Sequence, residues 1–130
     1  MAQHGSTVTE LVGVYHADGG PVGEAKYVFG KLLGTAHCAL CDITHSPVRR
    51  KPAWDAMVDR LAVPVTLVHL NEMTADVARA VADFGSPVVL GHSADGLVEV
   101  LSPEDLEALD GSVDEFEAAL GAALERFSAG

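Results

Sequence analysis

Apolar residues fall along this chain in short runs separated by turn residues, and the period of each run assigns it to strand or helix. Leu11-Val12-Gly13-Val14-Tyr15-His16 is nearly continuous in apolar character, as a buried parallel strand is. Ala17-Asp18-Gly19-Gly20-Pro21 breaks it with turn residues. From Glu24 to Leu33 the spacing turns helical. Ala25, Val28, Phe29 and Leu32 share one face, and Gly34 is the stop. Cys38 to Thr44 predicts a second strand. Trp54, Met57, Val58 and Leu61 follow the i, i+3, i+4, i+7 rule and predict a helix from Pro52 to Leu61, with the proline in its first turn. Val63 to Leu70, rich in β-branched residues, predicts a third strand. Thr74 caps a helix whose stripe is Val77, Ala80, Val81 and Phe84, and Gly85 ends it.

The rhythm then changes. Pro87-Val88-Val89-Leu90 and Leu97-Val98-Glu99-Val100-Leu101 predict two strands joined by a turn at Asp95-Gly96. Ser102-Pro103-Glu104-Asp105 starts a helix with an N-cap, a first-turn proline and first-turn acids. Ser112-Val113-Asp114-Glu115 opens the last helix, with Phe116, Leu120, Ala123, Leu124 and Phe127 as its stripe. The order is βαβαβα followed by ββα. It predicts an α/β fold with parallel strands, an antiparallel C-terminal hairpin at the edge and helices on both faces.

A chain of 130 residues with 48% hydrophobic and 21% charged residues suits a single domain over 1–130, with residues 1–9 as a flexible polar tail. The formal net charge is −11, and an acidic surface of this strength repels phosphate backbones, so nucleic-acid partners are disfavoured. Much of the acid lies in one solvated helical region between Glu104 and Glu117. Arg49-Arg50-Lys51 is too short to reverse that balance, though it could meet one anionic group. The N-terminus lacks the basic start and apolar run of a secretory signal, and no stretch approaches the roughly 20 apolar residues of a membrane span. A cytoplasmic location without a membrane partner is therefore expected. In that compartment paired cysteines serve metal binding or catalysis more often than a lasting disulfide.

The second half of the pattern resembles the thioredoxin-like superfamily. From Val63 to the C-terminus a strand, a helix ending in Phe84-Gly85, the segment Ser86-Pro87-Val88-Val89-Leu90, a turn at Asp95-Gly96, a second strand and an acidic helix all match. The resemblance implies that Pro87 is cis and lines the active site. Leu11 to His16 matches the family's first strand in character. The loop after it departs from the family motif: Gly19, Gly20 and Pro21 stand there, and Val22 replaces the second cysteine. Both thiols of the family are absent from that loop. The extra segment from Cys38 to Leu61 departs from the simplest family plan.

Reactive side chains concentrate instead in His37-Cys38-Ala39-Leu40-Cys41-Asp42-Ile43-Thr44-His45, which holds both cysteines of the chain. Thiolates and imidazoles are ligands that zinc, copper(I) and iron select, and CxxC is also the commonest redox dithiol spacing. In a regular strand Cys38 and Cys41 would point to opposite faces, and His37, Cys41 and His45 would be spread by roughly 13 Å at each step. Two arrangements remain. Either the chain turns at Ala39-Leu40 and brings both sulfurs to one metal, or Cys38 packs in the core and Cys41 works with distant histidines. Ligands collect outside the carboxyl ends of parallel strands. Those ends deliver Tyr15, His16 and Asp18, then Asp42, Thr44 and His45, then His69, Asn71 and Glu72, and His92.

Three functions fit. The first is a metal-binding protein or metalloenzyme with His37, Cys38, Cys41, His45 and His69 as the ligand set. In it Cys38, Cys41 and Asp42 carry the chemistry, and Tyr15, His16, Asp18 and Pro87 contact a small-molecule substrate. The second is a thiol–disulfide redox enzyme or sensor that cycles Cys38 and Cys41. The third is a non-catalytic binding module. An edge strand or the Trp54 helix offers a surface for pairing two chains into a homodimer.

Overall fold

The computed structural model describes residues 7–16, 38–46 and 49–129. In chain order the elements are β1 (Glu10–Val14), α1 (Ala39–Thr44), β2 (His45–Ser46), β3 (Arg49–Arg50), α2 (Pro52–Arg60), β4 (Val65–Val68), a 3-10 turn at Leu70–Glu72, α3 (Ala75–Phe84), β5 (Val88–Ser93), β6 (Gly96–Leu101), α4 (Pro103–Glu107) and α5 (Val113–Ala129). The helix expected from Glu24 to Leu33 lies outside the described residues.

The fold is mixed α/β, and its main sheet has the order β4-β1-β5-β6. β1 runs parallel to β4, with Leu11 opposite Val65 and Val14 opposite Val68. It runs antiparallel to β5, with Val14 opposite Val88 and Glu10 opposite His92. β5 and β6 form an antiparallel hairpin that closes with Ser93 opposite Gly96. The expected antiparallel hairpin is present at one edge of the parallel strands, which among the described residues number two, β4 and β1. β5 inserts beside β1, so β1 and β4 are the one parallel pair among the described strands. A helix between two strands does not by itself fix their relative direction. α3 returns the chain to the sheet end from which β4 left.

Alternation divides the core as the sequence pattern requires. Leu11 and Tyr15 of β1 share a face with Val89 and are covered by α1, α2, α4 and α5 through Leu40, Ile43, Trp54, Met57, Leu106, Phe116 and Leu120. Val12, Val14, Val88 and Leu90 face the other way, against Val77 and Ala80 of α3. Each large side chain fully buried here stabilises the fold by roughly 1.5–3 kcal/mol relative to its exposed state. The Trp54 ring packs on Phe116 with centroids 5.1 Å apart. The Trp54 and Met57 face of α2 is therefore used inside the molecule.

Several helix ends follow the predicted signals, while Thr74 stands at the N-cap of α3 without a side-chain capping bond, its hydroxyl donating to the Asp76 carboxylate instead. Ser102 Oγ accepts the Asp105 N–H at 3.0 Å, and the Asp105 carboxylate accepts the Ser102 N–H at 2.9 Å. Ser112 Oγ accepts the Glu115 N–H at 3.1 Å. α3 stops at Gly85, whose φ of 90° is costly for any residue with a Cβ. At the other terminus Val8 is buried and the Thr9 N–H donates to the His92 carbonyl at 2.9 Å. The tail expected to be flexible through residue 9 is therefore anchored from Val8 onward.

The largest correction concerns Cys38 to Thr44. It is not a strand. Cys38 is an N-cap with φ −148° and ψ 108°, and α1 follows it. Ala39, Leu40, Ile43 and Thr44 are buried, a pattern with helical period. α1 lies close over β1 because residue 13 is glycine. A Cβ there would stand 2.8 Å from Leu67 Cδ2 and 3.2 Å from Leu40 Cδ2. After α1 the chain folds back through a small antiparallel pair, His45 opposite Arg50 and Ser46 opposite Arg49. No helix among the described residues is long and apolar enough to cross a membrane.

Candidate dithiol site

Three segments meet where β1 ends. The first is Tyr15-His16, just past β1. The second is Cys38 and Cys41 on α1. The third is Ser86-Pro87, just before β5, with a cis peptide bond between them. The antiparallel register of β1 and β5 brings the last segment there, since Val14 faces Val88.

Cys38 is buried and Cys41 half-buried, and neither is in a disulfide. The Cys38 sulfur accepts the backbone N–H of His16 at 3.3 Å and that of Cys41 at 3.2 Å. One donor comes from the segment just past β1 and the other from α1. The Cys38 thiol is lowered from 9.0 to about 7. The hydrogen bond from the Cys41 side chain is the largest cause. Burial opposes it, the two amides support it, and the negative charge of Asp42 opposes it. Specific hydrogen bonds to the thiolate thus outweigh the cost of burying charge. His16 contributes through its backbone, while its ring Nδ1 lies 2.9 Å from Ser86 Oγ. That contact ties the segment before Pro87 to the residue whose amide holds Cys38.

A second polar group backs this site. Tyr15 Oη lies 2.8 Å from Thr44 Oγ1, and both residues are buried. Thr44 Oγ1 also lies 2.6 Å from His45 Nδ1. The Tyr15 ring packs against His69 at 4.9 Å and against the edge of His45 at 6.0 Å. His69 Nδ1 lies 2.8 Å from Glu72 Oε1, and the same oxygen accepts the His69 N–H at 2.9 Å. These hydrogen bonds from His69 hold the Glu72 carboxyl below its ordinary value, the backbone bond most.

The structure brings together five of the residues expected at a site: Tyr15, His16, Cys38, Cys41 and, through Ser86, Pro87. His45 and His69 border this group on the Tyr15 side. Asp42 faces a separate cavity of about 290 Å³, lined with Ala39, Lys51, Glu107, Asp110 and Gly111. There the Lys51 ammonium donates to the Gly111 carbonyl at 2.8 Å. The Asp42 N–H donates to the Cys38 carbonyl at 3.0 Å, and the negative charge of its carboxylate raises the Cys38 thiol. His92 sits at the opposite end of the sheet, across from Glu10, because β5 runs antiparallel to β1. Its Nε2 is 3.7 Å from Glu10 Oε1. The expectation that it joins the other strand-end histidines is corrected for that reason. Asp18 and His37 lie outside the described residues, as does the Gly19–Gly23 loop.

Thr44, expected at a strand end, instead follows Cys41 by one turn of the same helix. One contributor, Ser86, was not singled out from sequence. No local signal pointed to Ser86, whose role depends on β1 and β5 being neighbours. Among the described residues, no group of three or more His, Cys, Asp and Glu side chains is placed to hold a metal ion. No protein-family model matches the chain, and neither a curated protein nor a solved structure matches it.

Proposed function

We propose that this chain carries out thiol–disulfide exchange through Cys38 and Cys41 on a thioredoxin-like scaffold. The observation that carries this reading is the N-cap position of Cys38, whose sulfur accepts the amides of His16, just past β1, and of Cys41 in α1. A sulfur held in this way is stabilised as thiolate, the form that attacks and leaves in disulfide exchange. The second thiol stands three residues on, a spacing that a disulfide spans. The strand order β4-β1-β5-β6 and the cis bond before Pro87 support the scaffold. In the cytoplasm, where sequence reasoning expects the chain, such a disulfide would be transient and catalytic or sensing.

The test is a redox titration in glutathione buffers with a count of free thiols. The expected result is reversible loss of both thiols together in the wild type. In Cys38→Ser and Cys41→Ser no intramolecular disulfide can form. Two thiols that persist under the most oxidising buffer would sink the proposal.

The same two sulfurs support metal binding as a second reading, with zinc, copper or iron. The observation in its favour is the thiolate character of Cys38 beside a second thiol. That reading requires a third ligand beyond the pair, and exchange requires none, so exchange ranks first. Metal content of protein purified without added metal decides between them.

A further inference from the structure

The two cysteines are not equivalent, and their difference assigns them roles. Cys38 has no exposed surface. Its sulfur is enclosed by the His16 amide, the Cys41 amide and the Cys41 side chain. Cys41 is half-buried and therefore reachable from solvent. A thiol substrate must approach a disulfide along the line of the sulfur–sulfur bond, so the sulfur it meets is the exposed one. The leaving sulfur is then the one whose negative charge is best stabilised, and at Cys38 two amide donors already stand in place.

Resting on the exchange reading above, we propose that Cys41 is the sulfur substrates attack and Cys38 the leaving group, so that the chain donates its disulfide to substrate dithiols. The steps balance as follows. A substrate thiolate attacks Cys41 Sγ in the oxidised protein. A bond forms between substrate sulfur and Cys41, and the Cys38–Cys41 bond breaks with its electron pair on Cys38. The second substrate thiol gives up its proton and attacks the substrate sulfur of this mixed disulfide. The substrate disulfide forms, and Cys41 leaves and takes up a proton. Two electrons have passed from the substrate to the protein. A low-molecular-weight disulfide, such as glutathione disulfide, takes them in turn and restores the Cys38–Cys41 bond. The order of roles along the chain is set by exposure: the first cysteine is interior and the second faces the substrate.

The experiment uses the full-length wild-type chain, oxidised with glutathione disulfide and then mixed with reduced glutathione. The reaction is quenched with acid and the free thiols are alkylated. Tandem mass spectrometry, which breaks the peptide between Cys38 and Cys41, then locates each group. The expected result is glutathione on Cys41 and the alkyl label on Cys38. Glutathione on Cys38 overturns the assignment. Reduced single-cysteine variants give a second readout that does not depend on trapping an intermediate. Cys38→Ala, which keeps Cys41, should form its glutathione adduct about tenfold faster or more than Cys41→Ala, because accessibility controls attack. Equal rates, or faster labelling of Cys41→Ala, overturn it as well. If the wild type forms no intramolecular disulfide at all, the exchange reading itself has failed, and this outcome is distinct from a reversed assignment.

Discussion

The thiolate held at Cys38 makes stability depend on pH in one direction and one window. Its native value is about 7 against 9.0 for an unperturbed thiol. Below pH 7 both the native and the unfolded chain carry a thiol, and the group contributes nothing extra. Between pH 7 and 9 the native state has lost this proton while the unfolded state keeps it, so stability rises with pH. The slope approaches about 1.4 kcal/mol per pH unit, and a shift of about two units sums to roughly 2–3 kcal/mol. Above pH 9 both states are thiolate and the full contribution is present. The perturbation is Cys38→Ser, which keeps an acceptor for both amides but does not titrate. Urea unfolding of both proteins under excess reductant, at pH values spanning this window, gives the stability difference at each pH. Subtracting the variant removes the titrations the two chains share. The difference should grow in favour of the wild type from pH 7 to 9 and then level off. Cys41→Ala removes the largest cause of the shift, the Cys41 side-chain donor. The rise in that variant should begin at higher pH. A difference that stays flat across the window, or that falls as pH rises, refutes the argument that hydrogen bonds hold a thiolate here.

Three further predictions follow from packing and capping. Tyr15→Phe leaves the buried Thr44 hydroxyl without its tyrosine partner, at a cost of about 1–3 kcal/mol in denaturant unfolding. In a double-mutant cycle with Thr44→Val the two losses should add to less than their sum. Gly91→Ala puts a Cβ 2.8–2.9 Å from the γ-carbons of Val8 and Val100. Both neighbours are β-branched and stiff, so about 1–3 kcal/mol should be lost, readable as a lower thermal midpoint. Ser102→Ala removes the side-chain cap of α4 and should cost about 1 kcal/mol by urea unfolding, with Ser102→Asp recovering most of it.

Most elements of the fold were legible because their periods were long enough to read. Trp54, Met57 and Val58 span more than a turn of α2, and the structure buries the first two. Val65 and Leu67 of β4 pack into one core cluster and Val68 into the other, the alternation that its β-branched run requires of a strand. Capping signals fixed the starts of α4 and α5, since Ser102 and Ser112 bond N–H groups three residues on. The pairing of β1 with β5 was not legible, because it depends on where α3 returns the chain. Nothing in the composition of α3 encodes that.

Cys38 to Thr44 was misread for a different reason. Seven residues are too few to separate a period of 3.6 from a period of 2, and the apolar and polar residues of this segment satisfy both patterns in part. The ambiguity hides the chemistry. On a strand Cys38 and Cys41 would point apart, and the pair would mean little without distant partners. On a helix one of them occupies the N-cap and the other lies in the first turn, so the backbone brings the Cys41 amide to the Cys38 sulfur. Side chains that accept hydrogen bonds favour an N-cap, and a thiolate is such an acceptor. The N-cap hydrogen bond that starts α1 is therefore also one of the donors that lower the Cys38 thiol, after the Cys41 side chain and the His16 amide. Oxidation to a disulfide removes the charge that this bond stabilises. The local structure therefore favours the reduced form over a disulfide, and a disulfide whose reduced form is favoured is an oxidant. On the exchange proposed above, the placement of one cysteine at a helix start would set both which thiol ionises first and the direction in which the pair passes electrons.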